Sequence, residues 1–367
     1  MLQNELLYLI ALSMVPNIGD VHTKTLLQHF PHAEAIFKAR KSALERIPGI
    51  GCVRASAIRN FRNFERAEKE IHFLEKYKIN ALTVRDDAYP KRLLNCYDAP
   101  PLLYFKGNGQ LNASRMLSIV GTREPTDYGR DWLRKLITDL APFEPTIVSG
   151  LAYGIDSLAH KQSIKSAIPT VGVLAHGLDR IYPAVNKSLA REMVELGGLL
   201  TDFMSGTQPD AQNFPSRNRI VAGISDAVIV VETGNKGGSM ITADIANSYH
   251  KDVFALPGRV TDNKSEGCNK LIKENNAQLI SGADDIITAL NWDFTPLYPK
   301  KIQRELFPEI SPDEQKILNI IGQEESVFID TIYQMSGLRS SDTAAAILNL
   351  ELLSLVRVLP GKRYKLI

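Results

Sequence analysis

Between residues 117 and 256 the chain alternates short, continuously apolar runs with segments long enough for a helix. The runs are Leu117–Val120, Thr146–Val148, Thr170–Leu174, Gly198–Thr201, Ala227–Val231 and Val253–Leu256. Strands without polar alternation are strands buried on both faces, the signature of a parallel sheet covered by helices on each side. The pattern predicts an α/β fold, a doubly wound parallel sheet that takes its ligands beyond the carboxyl ends of the strands. Residues 1–70 read instead as helical, punctuated at Val15-Pro16-Asn17-Ile18-Gly19 and again at Ile47-Pro48-Gly49-Ile50-Gly51, a weak internal repeat. Each copy leads into a polar helix-forming stretch, Asp20 to His29 and Cys52 to Phe64.

Beyond the sheet region, Pro296, Pro299, Pro308 and the Lys300-Lys301 pair mark a linker. Ser311-Pro312-Asp313 then opens a helix with a capping residue followed by proline in the first turn. The apolar positions after it predict three short helices, and Val356 to Leu366 a hairpin turning at Pro360-Gly361, together a small winged-helix module. The expected layout is a helical domain at 1–70, the α/β domain at 71–295, a linker at 296–308 and a winged helix at 309–367.

Composition narrows the classes. The 367 residues suffice for two or three domains, and the hydrophobic fraction of 44% and charged fraction of 23% are those of ordinary globular protein. A net charge of +2 is too small for a protein that coats nucleic acid by bulk attraction, so any such site must be a local cluster of Arg and Lys. The first 80 residues carry about +4 and the remainder is near neutral. Cys52, Cys96 and Cys268 are too few and too scattered for a disulfide framework or a zinc site, and fit a reducing cytoplasm. The apolar run Leu6–Leu12 is too short to span a membrane and has no basic residue before it, so it reads as a buried first helix.

Four strand-to-helix junctions carry glycines or polar residues where the fold would expose them together. The first, Gly121-Thr122-Arg123-Glu124-Pro125-Thr126-Asp127, offers hydroxyls and a guanidinium suited to a phosphate; Thr126 or Asp127 read equally as a helix cap. In the second, Ser149-Gly150-Leu151-Ala152-Tyr153-Gly154 turns sharply into a helix whose first amides face outward. Asp156 and His160, one helical turn apart, are either an acid/base or metal pair or structural anchors for that turn. The third, Phe214-Pro215-Ser216-Arg217-Asn218-Arg219, places two arginines at a helix start, facing a phosphate or paired with a carboxylate such as Glu232 or Asp202. Phe214 is either core or a platform for a base. In the fourth, Gly237-Gly238-Ser239 with Thr242 builds another cradle of amides and hydroxyls, with Lys236 beside it. Four such junctions on one sheet edge favour phosphate binding.

No P-loop, no dinucleotide fingerprint, no nucleophile elbow and no metal-ligand cluster is present. Asp156, Asp179, Asp202 and Glu232 are the acids available, and each can equally anchor a loop, so no catalytic residue, metal or cofactor is assigned.

Ordered blocks along the central region resemble the DNA-processing protein A family (DprA, also called Smf). They are Arg85 to Leu93, Pro100 to Gly107, Gly121-Thr122-Arg123, Ser149 to His160, Gly177 to Pro183 with Asn186, Phe214 to Arg219, Gly237-Gly238-Ser239, Leu256-Pro257-Gly258 and Gly267 to Ile272. The resemblance implies an extended Rossmann-like domain that binds single-stranded DNA in a basic pocket and has no established catalytic activity. It also implies work with the recombinase RecA during natural transformation, and a homodimer formed through the Rossmann-like domain. Arg123 is then the main phosphate ligand, with Gly121, Thr122, Gly150, Gly154, Arg217, Asn218, Arg219, Gly237, Gly238 and Ser239 around it and Phe214 against a base. Many relatives have Lys directly after the Tyr-Pro of the Gly177–Pro183 block, where this chain has Ala184; Lys187 is the nearby substitute. Leu44 to Ile58 resembles a helix-hairpin-helix, in which amides at Gly49 and Gly51, helped by Arg54, meet a DNA phosphate or serve structure alone. The C-terminal module resembles the winged helix of many relatives, with Arg357, Lys362, Arg363 and Lys365 on its wing.

Two other readings compete. Gly237-Gly238-Ser239-Met240 resembles the glycine-rich loop of nucleoside monophosphate phosphoribohydrolases, a nucleotide-acting enzyme on a similar fold, but Ile241-Thr242-Ala243-Asp244 lacks their glutamate. A scaffold that binds only proteins leaves the four junctions without a purpose.

Overall fold

The computed structural model describes residues 3–292 and 310–366 apart from Glu325, Ser354 and Pro360. The expected linker at 296–308 and the proline of the expected terminal turn lie outside the described residues. The chain divides into two compact units, Met1–Asp293 and Phe294–Ile367.

In the first unit six helices come first: α1 (Gln3–Ser13), α2 (Asp20–His29), α3 (Ala33–Lys38), α4 (Lys41–Glu45), α5 (Gly51–Asn60) and α6 (Phe64–Tyr77). The two repeat copies form the α1–α2 and α4–α5 hairpins, and Val15, Ile18, Ile47 and Ile50 from both meet in one core. Arg54 ties them, its guanidinium donating to the Asn17 carbonyl and the Gly49 carbonyl, each at 2.9 Å.

The sheet follows. Strands β1 (Asn80–Thr83), β2 (Leu102–Gly107), β3 (Met116–Gly121), β4 (Thr146–Ser149), β5 (Thr170–Val173), β6 (Gly198–Thr201), β7 (Ala227–Val231), β8 (Asp252–Ala255) and β9 (Gln278–Leu279) lie in the order β1-β2-β6-β5-β4-β3-β7-β8-β9. The six apolar runs are β3 to β8, and all pair in parallel. Their continuous apolarity has a direct cause. Met116, Val120, Val228 and Val230 face one helical layer, while Leu117, Ile119, Ile229 and Val231 face the other. Each such burial stabilises by roughly 1.5–3 kcal/mol. On one side pack α7 (Lys91–Leu94), α11 (Asn213–Ile224), α12 (Gly238–Ser248) and α13 (Glu266–Lys273); on the other α8 (Asp127–Leu140), α9 (Ile155–Lys165) and α14 (Ala283–Ala289), with α10 (Lys187–Leu196) against β5 and β6. The sheet is not wholly parallel as expected, because β1 and β2 extend it antiparallel beyond β6.

The expected boundary after residue 70 falls inside α6. That helix contributes Ala67 and Leu74 to a core shared with Ile10 of α1 and Leu102 and Tyr104 of β2, so the helical layer is docked on the sheet. Two buried polar clusters reinforce the docking. Glu70, 1% exposed, accepts from the Ser205 amide at 2.8 Å and from Arg66 at 2.9 Å. Arg219 pairs with Asp20 of α2 and, at 2.8 Å, with Asp202 beyond β6. Lys24 adds a bond to the Cys96 carbonyl at 3.0 Å.

The second unit has α15 (Pro312–Ile321), β10 (Val327–Phe328), α16 (Ile329–Ser336), α17 (Ser340–Leu352), β11 (Val356–Leu359) and β12 (Arg363–Leu366). Ser311 caps α15 as its sequence predicts: its hydroxyl accepts from Glu314 N, and Glu314 answers at 2.7 Å from the Ser311 amide. The terminal hairpin gains a third strand, β10, giving the order β10-β12-β11 of a winged helix. Arg357 and Lys365 sit opposite each other on the wing, and the Arg363 guanidinium lies 4.7 Å from the Phe328 ring centroid.

Removing one member of a buried ion cluster leaves the other charges without a partner, a loss of several kcal/mol. Arg219→Ala is expected to lower the unfolding free energy by about 3 kcal/mol, read as a shift of the urea midpoint; a shift within experimental error would mean the cluster does not hold the two layers together.

Candidate functional site

At the carboxyl ends of β3, β4 and β7 the junction loops and the start of α11 enclose a cavity of about 310 Å³. Each loop is fixed by its own local bonds. Thr126 caps α8, its hydroxyl accepting from Gly129 N at 3.3 Å, and donates to Glu232, whose other carboxylate oxygen takes the Thr126 amide at 2.8 Å. The Thr122 amide donates to the Glu232 carbonyl at 2.7 Å. The capping alternative therefore holds for Thr126, and Glu232 is a loop anchor. These bonds set Gly121, Thr122 and Arg123 on the cavity wall. Arg123 is exposed and makes no hydrogen bond or ion pair among the described residues; its guanidinium stands 5.8 Å from the Phe214 ring centroid.

Behind β4 the chain turns through Gly154 at φ +77°, where a Cβ would lie 2.3 Å from the Thr122 carbonyl oxygen. A Cβ on Gly150 would lie 2.3 Å from the Arg217 guanidinium. That contact matters because Arg217 is 5% exposed and donates to the Gly150 carbonyl at 2.6 Å and to the Val173 carbonyl. Its Nε reaches Asn218 at 3.3 Å, and no carboxylate hydrogen-bonds it among the described residues. Burial pulls the Arg217 pKa down, the Asp156 charge pulls it back up and Arg123 opposes it. An arginine remains charged under such a shift, so the cavity wall carries a cation without a direct counter-charge.

Asp156 and His160 do not hydrogen-bond to each other. Asp156 accepts from the Ala152 amide at 3.4 Å, and burial raises its pKa. His160 is fully buried with Nδ1 2.7 Å from the Thr170 hydroxyl, which donates onward to the Ile147 carbonyl at 2.9 Å. The hydroxyl therefore accepts from Nδ1–H, and the ring is neutral, its pKa lowered to about 3 by burial and then by Arg217. The anchor alternative holds for both.

The fourth wall is the start of α12. Gly237 precedes it; the Gly238 and Ser239 amides have no acceptor among the described residues, while the Met240 amide donates to the Gly237 carbonyl at 3.0 Å. A Cβ on Gly238 would meet nothing within 4 Å, so this backbone is open to close approach. The Ser239 hydroxyl is buried without a hydrogen-bond partner among the described residues and lines the cavity. Phe214 is half-buried on the cavity wall, 6.2 Å from the Tyr182 ring, and Asn218, also lining the cavity, donates to the Gly238 carbonyl at 3.5 Å. Thr233, which sequence reasoning missed, also lines the cavity, two residues beyond β7.

Some expected residues lie elsewhere. Arg219 is not on the cavity wall; its guanidinium is taken by Asp20 and Asp202, the carboxylate pairing weighed from the sequence. Lys187 lines a separate groove. Gly49 and Gly51 turn at φ +82° and +55° in the helical layer, and Arg54 is engaged by carbonyls there. Asp244, at the position where the competing enzyme reading needs a glutamate, is exposed and does not line the cavity. Among the described residues no group of three His, Cys, Asp or Glu could hold a metal ion.

Residues 80–291 match the family described as DNA recombination-mediator protein A. The chain belongs to the DNA recombination-mediator protein A family. Residues 7–71 match a helix-hairpin-helix motif and residues 304–362 the winged-helix domain of DprA. The chain is 34% identical to Protein Smf of Synechocystis over the whole of both chains, and 33% identical to Protein Smf of Escherichia coli over 80% of this chain and 79% of that one. Among solved structures, DNA processing protein A (DprA) of Streptococcus pneumoniae superposes with a TM-score of 0.65 at 32% identity, over 78% of this chain and 97% of that one. The DNA processing protein A of Helicobacter pylori, described for its single-stranded DNA binding mode, gives 0.54 at 32% identity over 59% and 97%. The family places this chain among DNA-processing proteins that mediate recombination.

Because folded His160 refuses the proton that the unfolded chain takes near pH 6.5, its contribution is complete above that pH and is lost as pH falls toward about 3. Urea unfolding across this range should show a shallower decline for His160→Asn than for the parent; parallel curves would place the ring in contact with water.

Proposed function

We propose that the cavity holds single-stranded DNA, one phosphate between Arg123, Arg217 and the start of α12, and a neighbouring base against Phe214. The observation that carries this reading is the convergence of two guanidiniums without carboxylate partners and one orphaned hydroxyl, Ser239, on a single cavity. A phosphate supplies the missing counter-charge and acceptors. The aromatic wall, the Phe214 ring with Tyr182 behind it, supplies a face on which any base can stack. Gly121, Thr122, Gly150, Gly154, Asn218, Gly237 and Gly238 shape the walls; Arg219 belongs to the scaffold.

The fuller role is that of a mediator: the protein protects incoming single strands in the cytoplasm and helps load RecA on them during natural transformation, acting as a homodimer through its Rossmann-like domain. Family membership supports the mediator role. The cavity supports binding rather than turnover, because its one lining carboxylate, Asp156, is an anchor. No helix among the described residues is long and apolar enough to cross a membrane.

Arg123→Ala is expected to weaken binding of dT oligomers at least about tenfold at moderate salt and to lower the slope of log K against log salt by about 0.7, one phosphate contact. Its melting temperature should match the parent, since the side chain is exposed. Equal affinities of parent and variant would remove Arg123 from the site.

Replacing Gly238 by Ala adds a methyl group to the open space beside the helix start, with no protein atom within 4 Å of it. Binding in the same assay should fall by about tenfold, while the parent's affinity in this variant would show that no ligand approaches the α12 amides.

A further inference from the structure

A second concavity, about 710 Å³, runs along α10 on the flank of the first unit. It is lined by Lys187 and Arg191 of α10, Lys106 of β2 and the loop residues Arg180, Ile181 and Ala184. Lys187 and Arg191 are exposed and, one helical turn apart, share a face. Neither makes a hydrogen bond or ion pair among the described residues. Asp179, the acid nearest the loop end, is already neutralised. It pairs with Arg180 at 2.8 Å and accepts the Gly206 amide at 2.9 Å, and these bonds outweigh burial and keep its carboxyl ionised. Glu195 also lines the groove one helical turn beyond Arg191 and about 12 Å from Lys187, and it makes no ion pair with either among the described residues.

The groove is joined to the cavity through one short segment. A small pocket lined by Arg123, Phe214, Tyr182 and Pro183 adjoins the cavity. Ile181 and Ala184, the residues on either side of Tyr182-Pro183, line the groove. Tyr182 is 44% exposed and so presents its ring at the divide.

Resting on the reading of the cavity as a single-strand site, we infer that the groove is a second track for the same strand: nucleotides leaving the Arg123 cavity cross the Tyr182-Pro183 ridge and run along α10, their phosphates met by Lys187, Arg191 and Lys106. The groove is open, so it suits a flexible polyanion, and its unpaired cations among the described residues come from two elements, Lys187 and Arg191 from α10 and Lys106 from β2. Lys187 and Arg191, about 6 Å apart along α10, give it two phosphate positions. The track adds length-dependent affinity and no base preference. It also gives Lys187 a role, although it stands outside the cavity.

The test compares two dT oligomers with the full-length chain by fluorescence anisotropy at low salt, one of about 5 nucleotides that fills the cavity and one of about 20. Arg191→Glu should weaken the longer oligomer several-fold and leave the shorter within about twofold of the parent. Arg191→Glu combined with Lys187→Glu should weaken the longer at least about tenfold and lower its salt slope by about 1.4, two phosphates. Arg123→Ala, by contrast, should weaken both lengths. If the groove variants bind the longer oligomer as the parent does while Arg123→Ala loses both, the cavity reading stands and the second track is wrong. Equal weakening of both lengths by Arg191→Glu also overturns the track, because the charge would then be acting on the cavity. If Arg123→Ala changes nothing and the groove variants alone lose the longer oligomer, the groove is supported and the cavity assignment falls.

Discussion

One buried cation organises this molecule. Arg217 enters the sheet edge from α11 and donates to the carbonyls that end β4 and β5, at Gly150 and Val173. Those carbonyls are what a parallel sheet leaves unpaired at its carboxyl edge, and their dipoles hold the guanidinium where no carboxylate is bonded to it. The consequences run outward. Gly150 must lack a side chain to admit the guanidinium, and the neighbouring loop must turn tightly at Gly154, against the Thr122 carbonyl. Arg123 is thereby displayed on the same cavity, beside Phe214. A charge so placed is tolerated by dipoles and completed by an anion, so stability and recognition share one side chain.

Around that cation the polar groups divide into two kinds. Glu232, Asp156 and His160 are reactive types of residue held in structural roles: Glu232 is taken up by Thr126, Asp156 by the Ala152 amide, and His160 is kept neutral by burial. Arg123, the Ser239 hydroxyl and the Gly238 and Ser239 amides have no such partners among the described residues. Acids look catalytic in a sequence because their partners are invisible there; in space the unsatisfied donors, not the acids, mark the site.

Much of this was legible in the residues. The six apolar runs became β3 to β8 because strands buried on both faces have no polar alternation to hide them. The four junctions converged because a doubly wound sheet brings its carboxyl ends to one edge. What could not be read was pairing between distant segments. Arg217 and Arg219 are two residues apart on one helix, yet one faces the cavity and the other is held by Asp20, 199 positions away in sequence. Nothing local distinguishes them. β1 and β2 fall outside the strand–helix alternation, since only the four-residue α7 separates them and no helix separates β2 from β3, and β9 is missed because two residues carry no periodicity.

The continuity of α6 across the expected domain boundary has its own implication. The helix begins within the hairpin layer and ends against β1, and Glu70 at its middle is bonded to Ser205 beyond β6. From Phe64 to Leu74 it packs into one core, shared with α1 of the helical layer and β2 of the sheet. A lineage that discarded or exchanged the hairpin layer would need to replace the roof over Leu102 and Tyr104 at the same time, so the layer behaves as an inherited part of the sheet's architecture rather than as a bead on a string.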